Sequence, residues 1–464
     1  MNGPSIVFVN HACFYVETDE TILLVDPWVE GPAFNGMWNL LDTSTSNDQL
    51  IDILSSKEKP ICIWYSHEHS DHFSVSFIRE AVESGLNPVI YVRPTLDNRV
   101  LNYLRQLDLR VESKSRHRFE LGNSLWLTIY EFGRYDSYSL IEIGEFKILN
   151  LNDCGISSSE SVKNALRNIE TSGVTEIDLL ATQFGIASWV GNPSESKKIA
   201  AAAEGVLERV RRQVDVFKPT YLMPFASFSL FSHPDNFFLN AFQNDLQDVC
   251  ELLENHAVQV LEPYRDCEWA IDGKDVSQGK NGDAHQHWKL VREKSLIAIS
   301  NRLFDESGSS LGTDSLDVDI DEIRAAWESM DLRLSNGFWP FWSILKRILF
   351  YPKLFVMLSD YDEMVALSYR SGVRGPMRRH RASHLKMRSE ILVSVLSSEY
   401  GADALTAGAA FEVSGHYTVA DITRFFLPQN LVKSGYGRGN YGKTVTSVGR
   451  RLLRTVRRHL SRCR

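Results

Sequence analysis

The sequence predicts a layered α/β fold for the first part of the chain and a mainly helical region after it. Short apolar or alternating segments of strand length fill the first third of the sequence. Segments with helical periodicity lie between them, and a cluster of histidine and aspartate residues directly follows one apolar strand. Strands that alternate with helices are typical of sheets covered by helices, so we expect a layered domain with polar groups at strand ends.

One predicted strand is continuously apolar: Pro60–Ser66 reads PICIWYS and leads directly into His67. An apolar run of this length is typical of a buried strand. Gly144 and Glu145 form a candidate hairpin turn between two later strands. The other predicted strands are Ile6–Val9, Cys13–Glu17, Ile22–Val25, Val89–Val92, Leu125–Tyr130, Tyr138–Ile143 and Phe146–Asn150.

Three helices are predicted in the same region, at Phe73–Ser84, Pro94–Gln106 and Ser194–Phe217. Pro94 stands near the start of its helix, where a proline is tolerated. Ser194 is a candidate N-cap for the longest helix, and Pro219 follows just beyond its end. These signals predict helices on the surface of the layered domain.

The composition changes near Asp272, which predicts the domain organisation. We expect a catalytic domain at 1–270, a linker with loops at 271–321, and a mainly helical domain at 322–464. The linker prediction depends on two polar stretches, Asp272–Asp283 and Asp305–Asp321, which contain glycine and many charged residues. Ser389–Tyr400 is the clearest amphipathic helix of the last part.

Charge and cysteine content exclude several classes of protein. The 464 residues carry a net charge of −9, which argues against general nucleic-acid binding because that needs a basic surface. The six cysteines are scattered in apolar contexts, as expected for reduced thiols rather than a disulfide framework. We find no signal-peptide pattern and no apolar run long enough for a transmembrane segment, and we therefore expect a cytoplasmic protein.

A metal-binding motif follows the strand Pro60–Ser66. It reads His67-Glu-His69-Ser-Asp71-His72. Two histidines at i and i+2 of an extended segment point the same way, so both imidazoles can reach one metal ion. The chain then turns, which allows Asp71 and His72 to serve a second ion a few ångströms away. Two further candidates, each more often structural when taken alone, are Asp153 after the strand Phe146–Asn150 and His233 in FSHPDN.

The motif HxHxDH, with a later Asp and a final His, resembles the metallo-β-lactamase superfamily. The segments LLVDPWVEGPAFNGMWNLL, WYSHEHSDHFS, KILNLNDC and KPTYLMPFASFSLFSHPDN resemble the branch that contains the catalytic domain of CMP-N-acetylneuraminate hydroxylase. This resemblance implies an αββα metallo-β-lactamase-type sandwich. It also implies that the family's metal ligands correspond to His67, His69, Asp71, His72, Asp153 and His233, with Asp26 orienting a ligand histidine.

One position departs from the family pattern. The family places a third histidine of the first metal site between His72 and Asp153, at a strand end, and the segment YEFGRYDS contains none. His117 lies before the strand and is expected at the surface. Glu131, where the strand stops, is the first choice as a replacement, and Asp136 is the second. A carboxylate hardens the site and adds negative charge, which favours iron or manganese over zinc.

Three further residues are candidates for the substrate cleft by the same resemblance. They are His11 in VNHACF, and Gln183 and Trp189 on a segment that matches a cleft-lining region of the family. A histidine packed beside the first hairpin is an equally good interpretation of His11. We find no nucleotide-binding glycine motif and no serine or cysteine nucleophile arrangement.

The first functional hypothesis is a non-heme di-iron oxygenase that hydroxylates a small molecule. His67, His69, Glu131 and Asp153 would hold one iron; Asp71, His72, His233 and the bridging Asp153 would hold the other. O2 would be the co-substrate, and an external donor, a ferredoxin or a reductase, would supply the electrons. The second hypothesis is a zinc or manganese hydrolase of a phosphodiester, lactone or amide at the same site. A non-catalytic association module is the third.

Two segments near the C-terminus allow two interpretations each. Asn336–Leu358 is rich in aromatic residues, which favours core packing over an interfacial helix or a lid. Arg450–Arg464 carries seven arginines with apolar residues at helical spacing. Such a basic tail could contact an acidic membrane surface or a partner, or cover an acidic patch of the same protein.

Overall fold

A computed structural model describes residues 3–278, 283–305, 318–338, 342–348, 353–377, 383–415 and 417–435. The chain divides into two compact units. The N-terminal unit consists of Met1–Pro94 and Arg99–Thr313, and the C-terminal unit of Thr95–Asn98 and Asp314–Arg464.

The N-terminal unit contains seventeen of the described strands and seven of the described α-helices. The strands are β1 (Ser5–Asn10), β2 (Cys13–Glu17), β3 (Ile22–Val25), β4 (Trp38–Leu40), β5 (Ile61–Tyr65), β6 (Val89–Val92), β7 (Val111–Glu112), β8 (Arg118–Gly122), β9 (Leu125–Phe132), β10 (Asp136–Ile143), β11 (Phe146–Asn152), β12 (Leu179–Gln183), β13 (Tyr221–Phe225), β14 (Ser229–Phe231), β15 (Gln259–Val260), β16 (Glu268–Asp272) and β17 (Asp275–Gln278). The helices are α1 (Asn47–Ser56), α2 (Val75–Glu83), α3 (Arg99–Gln106), α4 (Ser159–Thr171), α5 (Ser196–Phe217), α6 (Leu246–Leu253) and α7 (Ala284–Leu303), with a 3-10 helix at Phe237–Phe242.

Two large sheets face each other. The first has the order β17-β16-β1-β2-β3-β5-β6-β7, and the second has the order β15-β13-β12-β11-β10-β9-β8. β3, β5 and β6 run parallel in the first sheet, as do β11, β12 and β13 in the second. Parallel strands place their carboxyl ends at one edge of a sheet, and ligand-binding residues are commonly found there.

Helices cover the outer faces of both sheets. Leu50 and Leu54 of α1, and Phe77 and Ile78 of α2, pack with strand residues of the first sheet such as Ile63. The apolar faces of α4, α5 and α6 pack with the second sheet through residues that include Ala165, Val210, Val214, Val249 and Leu253. The N-terminal unit is therefore an αββα sandwich, as the sequence predicts.

Two predicted helices begin later than expected. The helix predicted from Pro94 begins at Arg99, because the side chain of Thr95 accepts a hydrogen bond from the backbone N–H of Asn98 and holds the preceding residues in a turn. The longest helix begins at Ser196, and its N-cap is Glu195 rather than Ser194. Local side-chain hydrogen bonds compete with the first helical turn in this way.

Part of the predicted linker at 271–321 has regular structure in the N-terminal unit. β16 crosses the expected boundary at 270 and pairs with both β1 and β17. α7 packs on the core of the unit through Trp288, whose ring stacks on Phe228 at a centroid distance of 4.2 Å. The polar turn residues around Gly273 belong to a hairpin rather than to a linker, a distinction that composition does not make.

The C-terminal unit is rich in helices and also contains a five-stranded sheet that the sequence interpretation missed. The sheet order is β20-β19-β18-β21-β22. Its strands are β18 (Leu354–Leu358), β19 (Glu363–Ser368), β20 (Gly372–Met377), β21 (Leu385–Met387) and β22 (Glu412–Val413). The helices are α8 (Ile320–Phe338), α9 (Trp342–Ile348), α10 (Ser389–Ser397), α11 (Gly401–Gly408), α12 (Val419–Phe425) and α13 (Leu427–Lys433).

The described part of the aromatic segment Asn336–Leu358 contributes to the core of this unit. Phe338 stacks on Trp342 at 5.6 Å, and Trp342 contacts Tyr369 edge-on. The basic segment Arg450–Arg464 lies outside the described residues. Among the described helices, none has both the length and the apolar character that a membrane span requires.

Candidate metal centre

The candidate metal centre lies where strands of both sheets end. Asp26 directly follows β3, and Ser66 and His67 directly follow the neighbouring parallel strand β5. Asp153 directly follows β11 of the second sheet. His11 lies in the tight turn between β1 and β2, with a φ of 39°, an angle that few residues other than glycine adopt. Side chains from four separate strand ends are thus brought to one place.

The turn after β5 positions the remaining residues of the motif. The backbone N–H groups of His72 and Phe73 both donate to the carbonyl oxygen of His69, at 3.0 and 2.7 Å. Ser74 then caps α2 by accepting a hydrogen bond from the N–H of Phe77. This sharp reversal carries Asp71 and His72 back toward the end of β5, as the motif predicts.

The first group of candidate ligands consists of His67, His69 and Asp153. One ligand atom of each lies within 4.8 Å of the others. Nε2 of His67 and Nδ1 of His69 are 2.9 Å apart. Two nitrogens that bind the same ion at about 2.1 Å lie on the order of 3 Å apart, so this spacing suits a shared metal ion.

The second group consists of His11, Asp71 and His72, whose ligand atoms also lie within 4.8 Å of one another. Oδ2 of Asp71 is 3.7 Å from Nε2 of His11 and 3.5 Å from Nε2 of His72. All three residues are buried, His11 and Asp71 at 1% and 2% exposure. The group is therefore shielded from bulk water.

Asp153 lies next to both groups. Its Oδ2 atom is 3.2 Å from Nε2 of His72 and 3.9 Å from Nε2 of His67. A carboxylate in this position can reach an ion on either side of it. The arrangement fits the bridging role that the resemblance implies for Asp153.

The donor atoms of the two groups fit metal ions better than they fit one another. Three buried polar atoms of the two groups have no hydrogen-bond partner in the described part of the chain: Nε2 of His11, Oδ1 of Asp71 and Oδ1 of Asp153. A buried polar atom without a partner costs on the order of 1–3 kcal/mol. Imidazole nitrogens and carboxylate oxygens that converge in this way are the ligands of a di-metal site.

Charge interactions keep the second group highly polar. Burial raises the pKa of Asp71, but the charge of His72 and the adjacent His11 hold it well below its usual range. Burial lowers the pKa of His72, yet the negative charges of Asp153 and Asp71 raise it well above its ordinary value. In the absence of metal these charges favour the protonated form of His72, and a metal ion binds the neutral imidazole.

Asp26 orients two residues of the centre. Its carboxylate accepts hydrogen bonds from the backbone N–H of Ser66 at 2.8 Å and from the Ser66 hydroxyl at 2.6 Å, and also from the amide of Asn152. Oδ2 of Asp26 lies 3.0 Å from Nδ1 of His72. A proton on Nδ1 that is held by Asp26 leaves Nε2 of His72 free for metal, which is the role expected for Asp26.

The structure does not bring Glu131 to either group. Its Oε1 atom accepts a hydrogen bond from the Ser115 hydroxyl at 2.9 Å, and its side chain is exposed. Glu131 lines a cavity of about 630 Å³ together with Arg116 and Arg167. The strand extends to Phe132, so Glu131 is not the residue at which it stops, and its assignment as a ligand stays a prediction.

Asp136, the second choice, lies closer to the centre. Asp136 is the first residue of β10. Burial raises the pKa of its carboxyl. The negative charge of Asp153 raises this pKa further, whereas the positive charges of His69 and Arg93 lower it. Arg93 clamps the turn before β10, because its Nη1 donates to the carbonyl oxygens of Asp136 at 2.6 Å and of Phe132 at 3.1 Å. Asp136 thus feels the charges of two residues of the first group, His69 and Asp153, although it is not one of the three residues whose ligand atoms lie together.

His233 is buried but belongs to neither group. The ring Nδ1 of His233 accepts a hydrogen bond from the backbone N–H of Asp235 at 3.1 Å. The backbone N–H of His233 donates to Oδ1 of Asn236. Nδ1 of His233 thus faces a backbone N–H group in this structure, and the assignment of His233 as a ligand stays a prediction. His11, assigned by sequence to the substrate cleft, stands in the second group where His233 was expected.

The two other cleft candidates are held by basic residues of α5. Oε1 of Gln183 accepts a hydrogen bond from Nη2 of Arg209 at 3.0 Å. The ring of Trp189 lies under Nζ of Lys198, at 4.6 Å from the ring centroid. Gln183 directly ends β12, beside the strand that carries Asp153, so it lies near the centre.

Aromatic side chains surround the histidines. Phe34 meets the ring of His69 at 5.7 Å and the ring of Trp38 at 4.9 Å, and Trp28 meets the ring of His11 at 5.1 Å. All three aromatic side chains are buried. They form an apolar wall that restricts the access of water to this side of the centre.

Sequence reasoning missed Arg93 and Arg209. Arg93 immediately follows β6, a strand end of the same parallel group, and this position was the signal that could have revealed it. Arg209 lies one helical turn before Gln213, on the side of α5 that contacts the sheet. An arginine on the inner side of an otherwise apolar helix face needs a polar or charged partner. The sequence alone does not show which residue that partner is.

Comparison with known proteins agrees with the fold and the motif. Residues 5–165 match a family model described as the Beta-lactamase superfamily domain. This range contains the motif at His67–His72, together with His11, Asp26, Asp136 and Asp153.

Curated relatives are cytidine monophosphate-N-acetylneuraminic acid hydroxylases. The chain is 27% identical over 243 residues to the protein from Cricetulus griseus, with 50% of this chain and 41% of the relative covered. It is 23% identical over 278 residues to the protein from Asterias rubens, with 55% and 39% covered. The match thus spans about two fifths of the length of these relatives.

Solved structures with a similar chain path include both hydroxylases and hydrolases. CmlA, a diiron β-hydroxylase from Streptomyces venezuelae, is 13% identical with a TM-score of 0.38, covering 58% of this chain and 54% of that one. Igni18, a metallo hydrolase from Ignicoccus hospitalis, is 11% identical with a TM-score of 0.37, covering 60% and 99%.

Proposed function

We propose that this chain, a metallo-β-lactamase-fold relative of the CMP-N-acetylneuraminic acid hydroxylases, is a non-heme di-iron oxygenase that hydroxylates a small-molecule metabolite. The observation that carries the proposal is the composition of the two ligand groups. Each group combines two imidazoles with one carboxylate: His67 and His69 with Asp153, and His11 and His72 with Asp71. Two histidines and one carboxylate that leave coordination positions open are typical of non-heme Fe(II) oxygenases.

The additional carboxylate near the first group supports iron. The charge of His69 acts on the carboxyl of Asp136, and Asp136 lies in the part of the chain where the family pattern has a third histidine. With Asp71 and Asp153 it gives the centre three carboxylates, which as hard, negatively charged ligands favour iron or manganese over zinc. The names of the curated relatives, which are hydroxylases, point to the same class of reaction.

Bound iron would supply the reductive activation of O2 that hydroxylation requires. The overall reaction inserts one oxygen atom of O2 into a C–H bond and releases the other as water, which consumes two electrons and two protons. We assign these electrons to an external donor, a ferredoxin or a reductase. We place the substrate on the side of Gln183 and Trp189, and a sugar nucleotide or another functionalised metabolite is the class that the relatives suggest.

The residues of the chain have three tasks in this proposal. Asp26 fixes the ring of His72, and the hydroxyl of Ser66 does the same for His67 through Nδ1 at 2.9 Å. Both contacts turn Nε2 toward the metal centre before any ion binds. The aromatic wall around Phe34 keeps that side dry, which strengthens charge interactions and protects a reactive site from water.

A hydrolase is the second candidate, because two histidines and one carboxylate also hold catalytic zinc in hydrolases. Zinc or manganese ions at the same two groups would then activate a water molecule against a phosphodiester, lactone or amide. The two candidates share the ligands and differ in the metal and in their need for O2.

Metal analysis combined with oxygen uptake separates the two. The protein is loaded anaerobically with iron, and a parallel sample is loaded with zinc. Each sample is reduced, freed of excess reductant, and mixed with O2-containing buffer in an oxygen electrode. We expect about two irons per chain and an uptake that scales with the bound iron. An iron-loaded protein that consumes no O2 would sink the oxygenase proposal, and the Asp153→Asn variant serves as the matched control for uptake by free iron.

A further inference from the structure

Arg209 of α5 lies beside the metal centre, and its guanidinium forms no ion pair with a carboxylate among the described residues. Its Nη2 donates to the neutral amide oxygen of Gln183 at 3.0 Å. Its Nε is buried and has no hydrogen-bond partner. Two neighbours on the same helix differ: the side chains of Arg211 and Arg212 are 40% and 49% exposed, and both form ion pairs with Glu208. Arg209 is thus distinguished by its surroundings and not by its residue type.

The sheet register places this guanidinium at the centre. β11 and β12 are parallel neighbours in which Asn152 pairs with Thr182. The next residues, Asp153 and Gln183, therefore end adjacent strands, whose backbones lie about 4.8 Å apart. Arg209, bound to Gln183, stands on that same edge. Burial lowers the pKa of Arg209 while the charge of Asp153 raises it, which agrees with this placement.

The positive charge of Arg209 is not balanced by a bonded negative charge. Among the described residues, no carboxylate forms an ion pair with it, and its hydrogen bond goes to the neutral amide of Gln183. Asp153 is the negative charge that acts on Arg209. Metal ions bound at the two groups would coordinate this carboxylate, so it would no longer balance the charge of Arg209. Arg209 is half-buried, with its Nε shielded from solvent, and a partly desolvated guanidinium without a counter-charge is unfavourable. Its N–H groups match the oxygens of a carboxylate or a phosphate.

We infer that Arg209, held in place by Gln183, is the group that binds a carboxylate or phosphate oxyanion of the substrate beside the metal centre. The inference rests on the proposed function only in placing the reaction at this centre; it holds for an oxygenase and for a hydrolase alike. Arg209 then selects anionic small molecules and fixes their distance from Asp153.

The test measures anion binding without turnover. The protein is loaded with zinc, which is redox-inert, and titrated calorimetrically with inorganic phosphate in one arm and with acetate in the other. Arg209→Gln should weaken binding of the preferred anion about 10- to 100-fold at unchanged metal content, the range expected for loss of a charge-assisted hydrogen bond. The arm that responds more strongly identifies a phosphate ester or a carboxylate as the group recognised.

Two further variants control for misfolding and for a general effect of removing an arginine from this helix. Gln183→Glu keeps Arg209 and gives it an internal carboxylate, so it should weaken anion binding to a similar extent even if Arg209→Gln fails to fold. Arg211→Gln removes an exposed arginine of the same helix and should bind anions as the unmodified protein does. If both active-site variants bind phosphate and acetate as tightly as the unmodified protein, or if the unmodified protein binds neither, the inference is wrong. An iron-loaded, reduced protein that consumes no O2 would refute the oxygenase proposal without touching this result.

Discussion

Oδ2 of Asp153 lies 3.2 Å from Nε2 of His72, although the two residues come from opposite sheets of the sandwich. The same oxygen lies 3.9 Å from Nε2 of His67. This single carboxylate thus connects the histidines of one sheet to the second sheet and stands between the two ligand groups. Its position makes Asp153 the residue on which the proposed di-metal centre depends most.

Asp153→Asn should reduce the metal content from two ions per chain to one or fewer. The amide keeps the size of the side chain but loses the charge and the capacity to bridge, so both groups lose a ligand. Metal analysis after dialysis against metal-free buffer provides the measurement, with circular dichroism to show that the fold is kept. Retention of two ions would show that Asp153 is not the bridge.

Glu131→Gln and Asp136→Asn form a matched pair that decides which carboxylate serves the first group. Glu131 is exposed and bonded to Ser115, so its variant should keep both metals and change the free energy of unfolding by less than about 0.5 kcal/mol. Asp136 lies near His69, so its variant should weaken the first metal by roughly 10-fold or more. The readout is metal affinity by competition with a chelator. The opposite ranking would restore Glu131 as the ligand.

His11→Ala and His233→Ala test the second group in the same way. Nε2 of His11 is 3.7 Å from Oδ2 of Asp71, whereas Nδ1 of His233 is bonded to the backbone of Asp235. Loss of His11 should weaken the second metal by more than about 10-fold, because even the loss of a residue that orients a ligand costs roughly 10- to 100-fold. His233→Ala should keep both ions. A loss of metal in His233→Ala alone would mean that this loop rearranges when metal binds.

Metal affinity should rise with pH across the neutral range. Asp153 and Asp71 raise the pKa of His72 above its ordinary value of 6.5, so the metal-free protein holds a proton that a metal must displace. Each displaced proton lowers the apparent affinity about 10-fold per pH unit below that raised pKa. Asp71, with a lowered pKa, stays ionised throughout this range. Chelator competition at three pH values between 6 and 8 measures the slope, and a flat profile would contradict the assignment.

The stability of the metal-free protein should change in the opposite direction. A raised pKa in the folded state adds stability that is fully present below the unfolded value near 6.5 and is lost as the pH rises through the folded value. Thermal unfolding of the metal-free and metal-loaded forms over the same pH range therefore provides a control for the affinity measurement.

The strand ends of the centre could be predicted because their signals are local. The apolar strand β5 and the motif from His67 to His72 are contiguous, and Asp153 directly follows a strand of clear apolar pattern. The turn geometry at His69 also follows from the short spacing. These residues needed no knowledge of tertiary contacts.

The other features depend on contacts between distant segments. His11 could not be told from a packed histidine, because its approach to Asp71 across 60 positions of sequence is visible only in the folded chain. Glu131 was preferred over Asp136 because the end of β9 was placed two residues too early. The sheet of the C-terminal unit was missed because two of its strands have only three and two residues, and because all five lie among helical patterns, where periodicity is ambiguous.

Anomalous diffraction from crystals of the iron-loaded protein, recorded on both sides of the iron absorption edge, tests the central claim most directly. The account predicts two iron peaks separated by about 3.5–4 Å, the spacing of two-metal sites. One peak should lie among His67, His69 and Asp153, and the other among His11, Asp71 and His72. A single peak, or two peaks of which one is bound by His233 or Glu131 and not by His11, would contradict it.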